Sequence, residues 1–243
     1  MLSGAGVMIL EIDKLHAGYI KGSLVLQDLN LSIAQGDFVA LLGRNGMGKT
    51  TLMRSIVGQI KASAGSIRFA GEDITGASSY KIARAGIGYV PQGREIFGDF
   101  TVEENLRMGL LGKPGLGSTV PEWAYDVFPI LKERRSQQAG TMSGGQQQQL
   151  AIMRALLGQP DLLILDEPSE GIQPSIVHDI GVALREYARA HGLTVLLVEQ
   201  NLDLVGLLGH HALFMENGAI VERIDDMARL QNDSELIARY LSV

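Results

Sequence analysis

The run Gly43-Arg44-Asn45-Gly46-Met47-Gly48-Lys49-Thr50 fits the pattern G-x-x-x-x-G-K-[ST]. Glycines at those positions let backbone N–H groups curl around a phosphate, and a helix starting there points its positive end at the anion. Lys49 would reach the outer phosphates of a nucleoside triphosphate, and the Thr50 hydroxyl would ligate Mg²⁺. Arg44, Asn45, Met47 and Thr51 are expected to join this loop in contacting the nucleotide. A second element is Leu162-Leu163-Ile164-Leu165-Asp166-Glu167, an apolar strand with two carboxylates at its C-terminal end, where ligands of open α/β sheets sit. Asp166 would hold Mg²⁺, and Glu167 would polarise an attacking water as general base. Taken alone, such a pair is equally an ordinary strand end with solvated acids. The third element, Ser143-Gly144-Gly145-Gln146, precedes a helical pattern and makes another anion cradle. One chain does not need two cradles for one triphosphate, so this one would complete the site of a second subunit. In isolation it reads as a helix cap by Ser143.

These groups need elements to hold them. Phe38 to Leu42 reads as a buried strand running into the glycine loop, and Thr50 to Gly58 as the helix behind it. Alternation over Leu10, Ile12 and Leu15, then Leu24 to Leu26, then Leu29, Leu31 and Ile33 predicts antiparallel strands at the N-terminal end. Ser66 to Phe69, Ile87 to Val90, Leu162 to Leu165 and Thr194 to Val198 read as further strands. Between 101 and 140 the pattern turns helical, with segments Val102 to Met108 and Trp123 to Arg135 separated by a stretch rich in Gly and Pro. Helices are also expected over Gln146 to Leu157, Ile176 to Ala190 and Ser234 to Leu241. Strands alternating with helices imply a mainly parallel sheet. The predicted fold is α/β: a P-loop NTPase core with a mixed, mainly parallel sheet, an N-terminal antiparallel β portion and an inserted α-helical subdomain. One domain is expected over 1–243, with the insertion at approximately 93–160.

Bulk composition narrows the function. Of 243 residues, 46% are hydrophobic, which suffices for a sizeable core. A net charge of −6 argues against nucleic acid as the main partner. The absence of cysteine excludes a disulfide scaffold, a thiolate zinc site and a cysteine nucleophile. Neither a signal peptide nor a membrane helix of roughly 20 apolar residues is expected, so any membrane role must come through partners.

In this order, Gly43–Thr50, Gln92, Ser143–Gln146 and Asp166-Glu167 resemble the nucleotide-binding subunit of an ATP-binding-cassette (ABC) transporter over nearly the whole chain. The combination is specific, because other P-loop proteins lack the Ser-Gly-Gly-Gln element. The resemblance implies that Tyr19 stacks on adenine, the alternative being a strand tyrosine. It implies that Gln92 senses Mg²⁺ and the γ-phosphate, and that Ser143, Gly144, Gly145 and Gln146 clamp ATP bound to the opposite subunit. Two positions depart from the family pattern. Gln173 replaces an aspartate that commonly crosses the dimer interface, and Gln200 replaces a histidine that contacts the γ-phosphate. Gln200 is expected to take over that contact beside Lys49 and Glu167.

Tyr89 to Phe97, Ser143 to Gln149 and Glu199-Gln200-Asn201 resemble the smaller ATPase of branched-chain amino acid and amide uptake systems. Glu170-Gly171-Ile172-Gln173-Pro174-Ser175 is most similar to the urea and short-chain amide branch. The resemblance implies a paralogous ATPase partner, with a homodimer as the alternative in isolation. It also implies two transmembrane permease subunits, a periplasmic solute-binding protein acting indirectly, and a cytoplasmic location on the inner face of the cell membrane. Ile96, Phe97 and Phe100 fall where this family meets its permease, the alternative being the core of the helical subdomain. The rival reading is a soluble cassette ATPase not coupled to transport.

Overall fold

The computed structural model describes residues 7–20, 22–112, 115, 117–227, 230, 233 and 240. The chain runs β1 (Met8–Ala17), β2 (Leu26–Ala34), β3 (Phe38–Leu42), α1 (Lys49–Ile56), β4 (Ala62–Phe69), β5 (Glu72–Asp73), α2 (Ser79–Ala85) and β6 (Ile87–Val90). It continues through α3 (Val102–Leu110), α4 (Glu122–Val127), α5 (Pro129–Glu133), α6 (Gly144–Leu156), β7 (Leu162–Asp166), α7 (Pro174–His191), β8 (Thr194–Val198), α8 (Leu202–Leu208), β9 (His211–Glu216) and β10 (Ala219–Ile224).

Every residue of β3, β7 and β8 is buried. Successive side chains of a strand point to opposite faces, and here both faces are apolar. Phe38, Ala40 and Leu42 enter one core, while Val39 and Leu41 enter another. A strand of that kind must lie inside a sheet covered on both sides. The six-stranded sheet has the order β10-β9-β3-β8-β7-β6. Its strands are parallel except β10, which folds back on β9. The apolar faces of α6, α7 and α8 cover one side. The other side is covered by α1 and a four-stranded antiparallel sheet ordered β2-β1-β4-β5.

This arrangement agrees with the expected α/β class and its N-terminal antiparallel portion. Helices α3 to α6 fall between β6 and β7, where the insertion is expected. Several details differ. The helix expected over 123–135 is two short ones parted at Phe128, because the residue before a proline is driven out of helical backbone. The strand expected at 66–69 begins at Ala62, where pairing with β1 outweighs weak local propensity. Helices α2 and α8 and strands β5, β9 and β10 have no counterpart among the expected elements; α2 is short and stops at left-handed Gly86. The expected C-terminal helix over 234–241 lies, Tyr240 apart, outside the described residues. No described helix is long and apolar enough to cross a membrane.

Candidate functional site

The glycine loop is set by its flanking elements. Strand β3 ends at Leu42, the loop turns at Gly43, and α1 begins at Lys49. Gly43 has φ 147°, and a Cβ there would lie 2.4 Å from the carbonyl oxygen of Met215 on β9. Only glycine fits that approach. Lys49 is buried, and its Nζ donates to the carbonyl oxygens of Gly43 (2.6 Å) and Arg44 (2.9 Å). Burial lowers the Lys49 pKa, and the charges of Glu167 and Asp166 pull it back up. Thr51 is also buried; its hydroxyl donates to the Tyr19 hydroxyl at 3.5 Å.

Strand β7 delivers the two acids. Asp166 is 1% exposed, and one of its oxygens, Oδ1, is buried without a hydrogen-bond partner among the described residues. Its Oδ2 accepts from the Tyr89 hydroxyl at 3.4 Å. Burial and then the Glu167 charge raise the Asp166 pKa, while the Thr50 and Tyr89 hydroxyls and Lys49 oppose this. An unpartnered, buried carboxylate oxygen beside a threonine hydroxyl fits a hard cation such as Mg²⁺, which is commonly held by one or two carboxylates plus phosphates. Burial is also the first cause raising the Tyr89 pKa, so that phenol stays a neutral donor.

Glu167 has φ 49°, a left-handed conformation that costs energy in a non-glycine residue and clusters at functional sites. Its carboxylate lies between two amides. Gln92 Nε2 donates to Oε2 at 3.2 Å, and Gln200 Nε2 donates to Oε1 at 3.2 Å. Gln200 Nε2 also donates to Asn45 Oδ1 at 2.8 Å, so it joins the glycine loop to the acid. Gln200 is placed by buried Glu199. The Glu199 carboxylate accepts the backbone N–H groups of Ser169, Gln200 and Asn201 at 2.8, 2.8 and 2.9 Å. That one side chain fastens the loop after β7 to the loop after β8.

Lys49, Thr50, Thr51, Asn45, Gly46, Gly48, Tyr19, Gln92 and Glu167 line a single cleft of about 460 Å³, within the range of small-molecule sites. Tyr19 stands at its edge, 59% exposed. Gly43, Arg44 and Met47 do not line it; the first two lend carbonyl groups to Lys49, and Met47 Sδ accepts from Asn217 N at 3.5 Å. None of Ser143, Gly144, Gly145 and Gln146 lines it either. Ser143 instead caps α6 in a reciprocal pair with Gln146. A Cβ on Gly145 would meet Ile176 of α7 at 2.7 Å, so that helix start is packed as well as capped. Sequence reasoning gave Tyr89, Glu199 and Glu170 no role in the site and used them only as parts of strings that resemble the uptake-system ATPases. Glu170 also lines the cleft. The available signal was an acid three residues beyond Glu167.

Residues 26–170 match the family model described as ABC transporter, and that span holds the glycine loop, Gln92, Ser143–Gln146 and both acids. The chain belongs to the ABC transporter ATP-binding family. As such a cassette it binds and hydrolyses ATP. It is 43% identical over 226 residues to the high-affinity branched-chain amino acid transport ATP-binding protein BraG of Pseudomonas aeruginosa, covering 92% of this chain and 96% of that protein. It is 34% identical over 217 residues to the probable branched-chain amino acid transport ATP-binding protein LivF of Archaeoglobus fulgidus, covering 87% and 90%. Its fold superposes on the crystal structure of a nucleotide-free ATP-binding cassette from an ABC transporter with a TM-score of 0.81. That pair shares 28% identity over 95% of this chain and 98% of the other.

Proposed function

We propose that this cassette is the ATP-hydrolysing subunit of an importer for a small polar solute. Lys49 binds the outer phosphates and Tyr19 stacks on adenine. Thr50, Asp166 and Gln92 hold Mg²⁺, which neutralises phosphate charge. Glu167 takes the proton of the attacking water, and Gln200 donates to the γ-phosphate. The observation that carries the reading is the convergence in one cleft of Lys49, Thr50, Gln92 and Glu167, with Ser143–Gln146 outside it and Ser143 exposed at the start of α6. A second subunit brings its own Ser143-type element to close the cleft, so that ATP holds two cassettes head to tail. Residues 1–243 then act as one ATPase domain whose insertion, approximately 93–160, moves with the nucleotide.

The partners are a paralogous cassette, two permeases and, through them, a periplasmic solute-binding protein, which places this subunit on the cytoplasmic face of the membrane. Phe97 and Phe100 support the permease contact: they are 43% and 40% exposed and stack on each other with centroids 5.2 Å apart. Phe97 also borders a cavity of about 600 Å³ between the insertion and β6. Two exposed rings beside a groove suit a protein partner. The Glu170–Ser175 string favours urea or a short-chain amide as the solute, whereas relatives are named for branched-chain amino acid transport.

Reconstitution with permeases of branched-chain amino acid, urea and short-chain amide uptake systems tests the reading. Solute-dependent ATPase activity is expected, and Phe97→Asp should abolish co-purification while leaving basal ATP hydrolysis of the free cassette within about twofold, because a rim charge opposes docking and not chemistry. ATPase activity indifferent to every permease would favour the soluble cassette instead.

A further inference from the structure

Gln92 Nε2 donates to two carboxylates at once, Glu170 Oε2 at 2.9 Å and Glu167 Oε2 at 3.2 Å. Ionised carboxylates only accept hydrogen bonds, so the amide has one permitted sense here. Its NH₂ end faces the two acids, and its carbonyl Oε1 is left as the end available within the cleft that Gln92 lines with Lys49 and Thr50. An oxygen, not an amide nitrogen, is what a hard cation takes.

The shorter of the two bonds goes to Glu170, and that residue is well placed to hold it. Its backbone N–H donates to the Glu167 carbonyl at 3.2 Å in a tight turn. Its own carbonyl accepts from Arg94 Nη2 at 3.1 Å, and Arg94 lies two residues beyond Gln92. The loops carrying Gln92 and Glu170 are thus joined twice, once through each side chain.

We propose that Glu170 is a positioning residue: by anchoring the Gln92 amide it aims Gln92 Oε1 at the metal of the bound nucleotide. This rests on the metal-nucleotide reading of the cleft given above. Glu170 touches no reacting atom. Its contribution passes through the orientation of Gln92, as hydrogen-bonded partners of metal ligands commonly act, with effects on the order of 10-fold to 100-fold on metal affinity.

The test compares the parent protein with Glu170→Ala and Glu170→Gln. Binding of a fluorescent, non-hydrolysable ATP analogue is titrated with and without Mg²⁺, and Mn²⁺ binding to the nucleotide-loaded protein is followed by electron paramagnetic resonance. Glu170→Ala should weaken metal binding about tenfold without weakening metal-free nucleotide binding. Glu170→Gln keeps an acceptor oxygen for the amide and should stay within about threefold of the parent. Unchanged metal binding in Glu170→Ala overturns the proposal. Equal losses in both variants overturn it too, because they would report charge and not the anchor. A parent protein whose nucleotide binding ignores the metal would overturn the reading of the cleft itself, and the proposal with it.

Discussion

Gln200 occupies a position where the resembled family commonly carries histidine, and its geometry shows what can survive the exchange. Its amide spans from the Glu167 carboxylate to Asn45 in the glycine loop. A histidine can donate a hydrogen bond and also gain a proton near neutral pH; an amide can donate but cannot titrate. If donation is what the site needs, Gln200→Ala should cut turnover by roughly tenfold or more, the scale of losing one donor aimed at transition-state charge. Gln200→His should retain activity within roughly a factor of ten. Steady-state ATPase assays on the assembled complex separate these outcomes, and unchanged turnover in Gln200→Ala would remove the γ-phosphate contact from the account. Glu199 belongs to the same argument. Its two carboxylate oxygens accept three backbone N–H groups and so fix the loop from which Gln200 reaches across.

At the scale of elements, the start of α6 serves two ends. Ser143 and Gln146 cap each other's backbone, which any helix start of this composition could do. The proposed trans contact uses the same exposed hydroxyl. Ser143→Ala should lower stability by about 1 kcal/mol, the usual cost of a lost cap. ATP binding by the isolated chain should be unchanged, and hydrolysis by the assembled pair should fall. Weaker ATP binding by the isolated chain would instead assign Ser143 a role in its own cleft. The parts legible from sequence are those in which residue type is dictated locally. Gly43 had to be glycine because a β9 carbonyl crowds it, and the run Leu162–Leu165 is apolar on both faces because its sheet is covered twice. The parts that escaped depend on register between distant segments. Tyr89 reaches Asp166 because β6 pairs with β7 in parallel, Tyr89 opposite Ile164, across 77 positions of sequence. Glu170 acquires a purpose only once Gln92 is folded against it. The break at Phe128 was signalled by Pro129 yet masked by continuous helical periodicity on both sides.

At the scale of the molecule, one sheet carries the cleft at its strand ends, and the inserted helices pack into the core on one of its faces. The cleft is lined by Asn45, Gly46 and Gly48 to Thr51 with Gln92, Glu167 and Glu170, while Asp166, Gln200 and the capped start of α6 are not among its lining residues. On the proposed reading a partner cassette completes this site, which links closure to chemistry. Glu167→Gln tests that link most directly, since the amide keeps the shape of the carboxylate but cannot take a proton. With Mg-ATP, this variant should bind nucleotide like the parent, hydrolyse it on the order of 10² or more times slower, and accumulate as an ATP-bound dimer in analytical ultracentrifugation. Hydrolysis at the parent rate, or a variant that stays monomeric while saturated with ATP, would contradict the account.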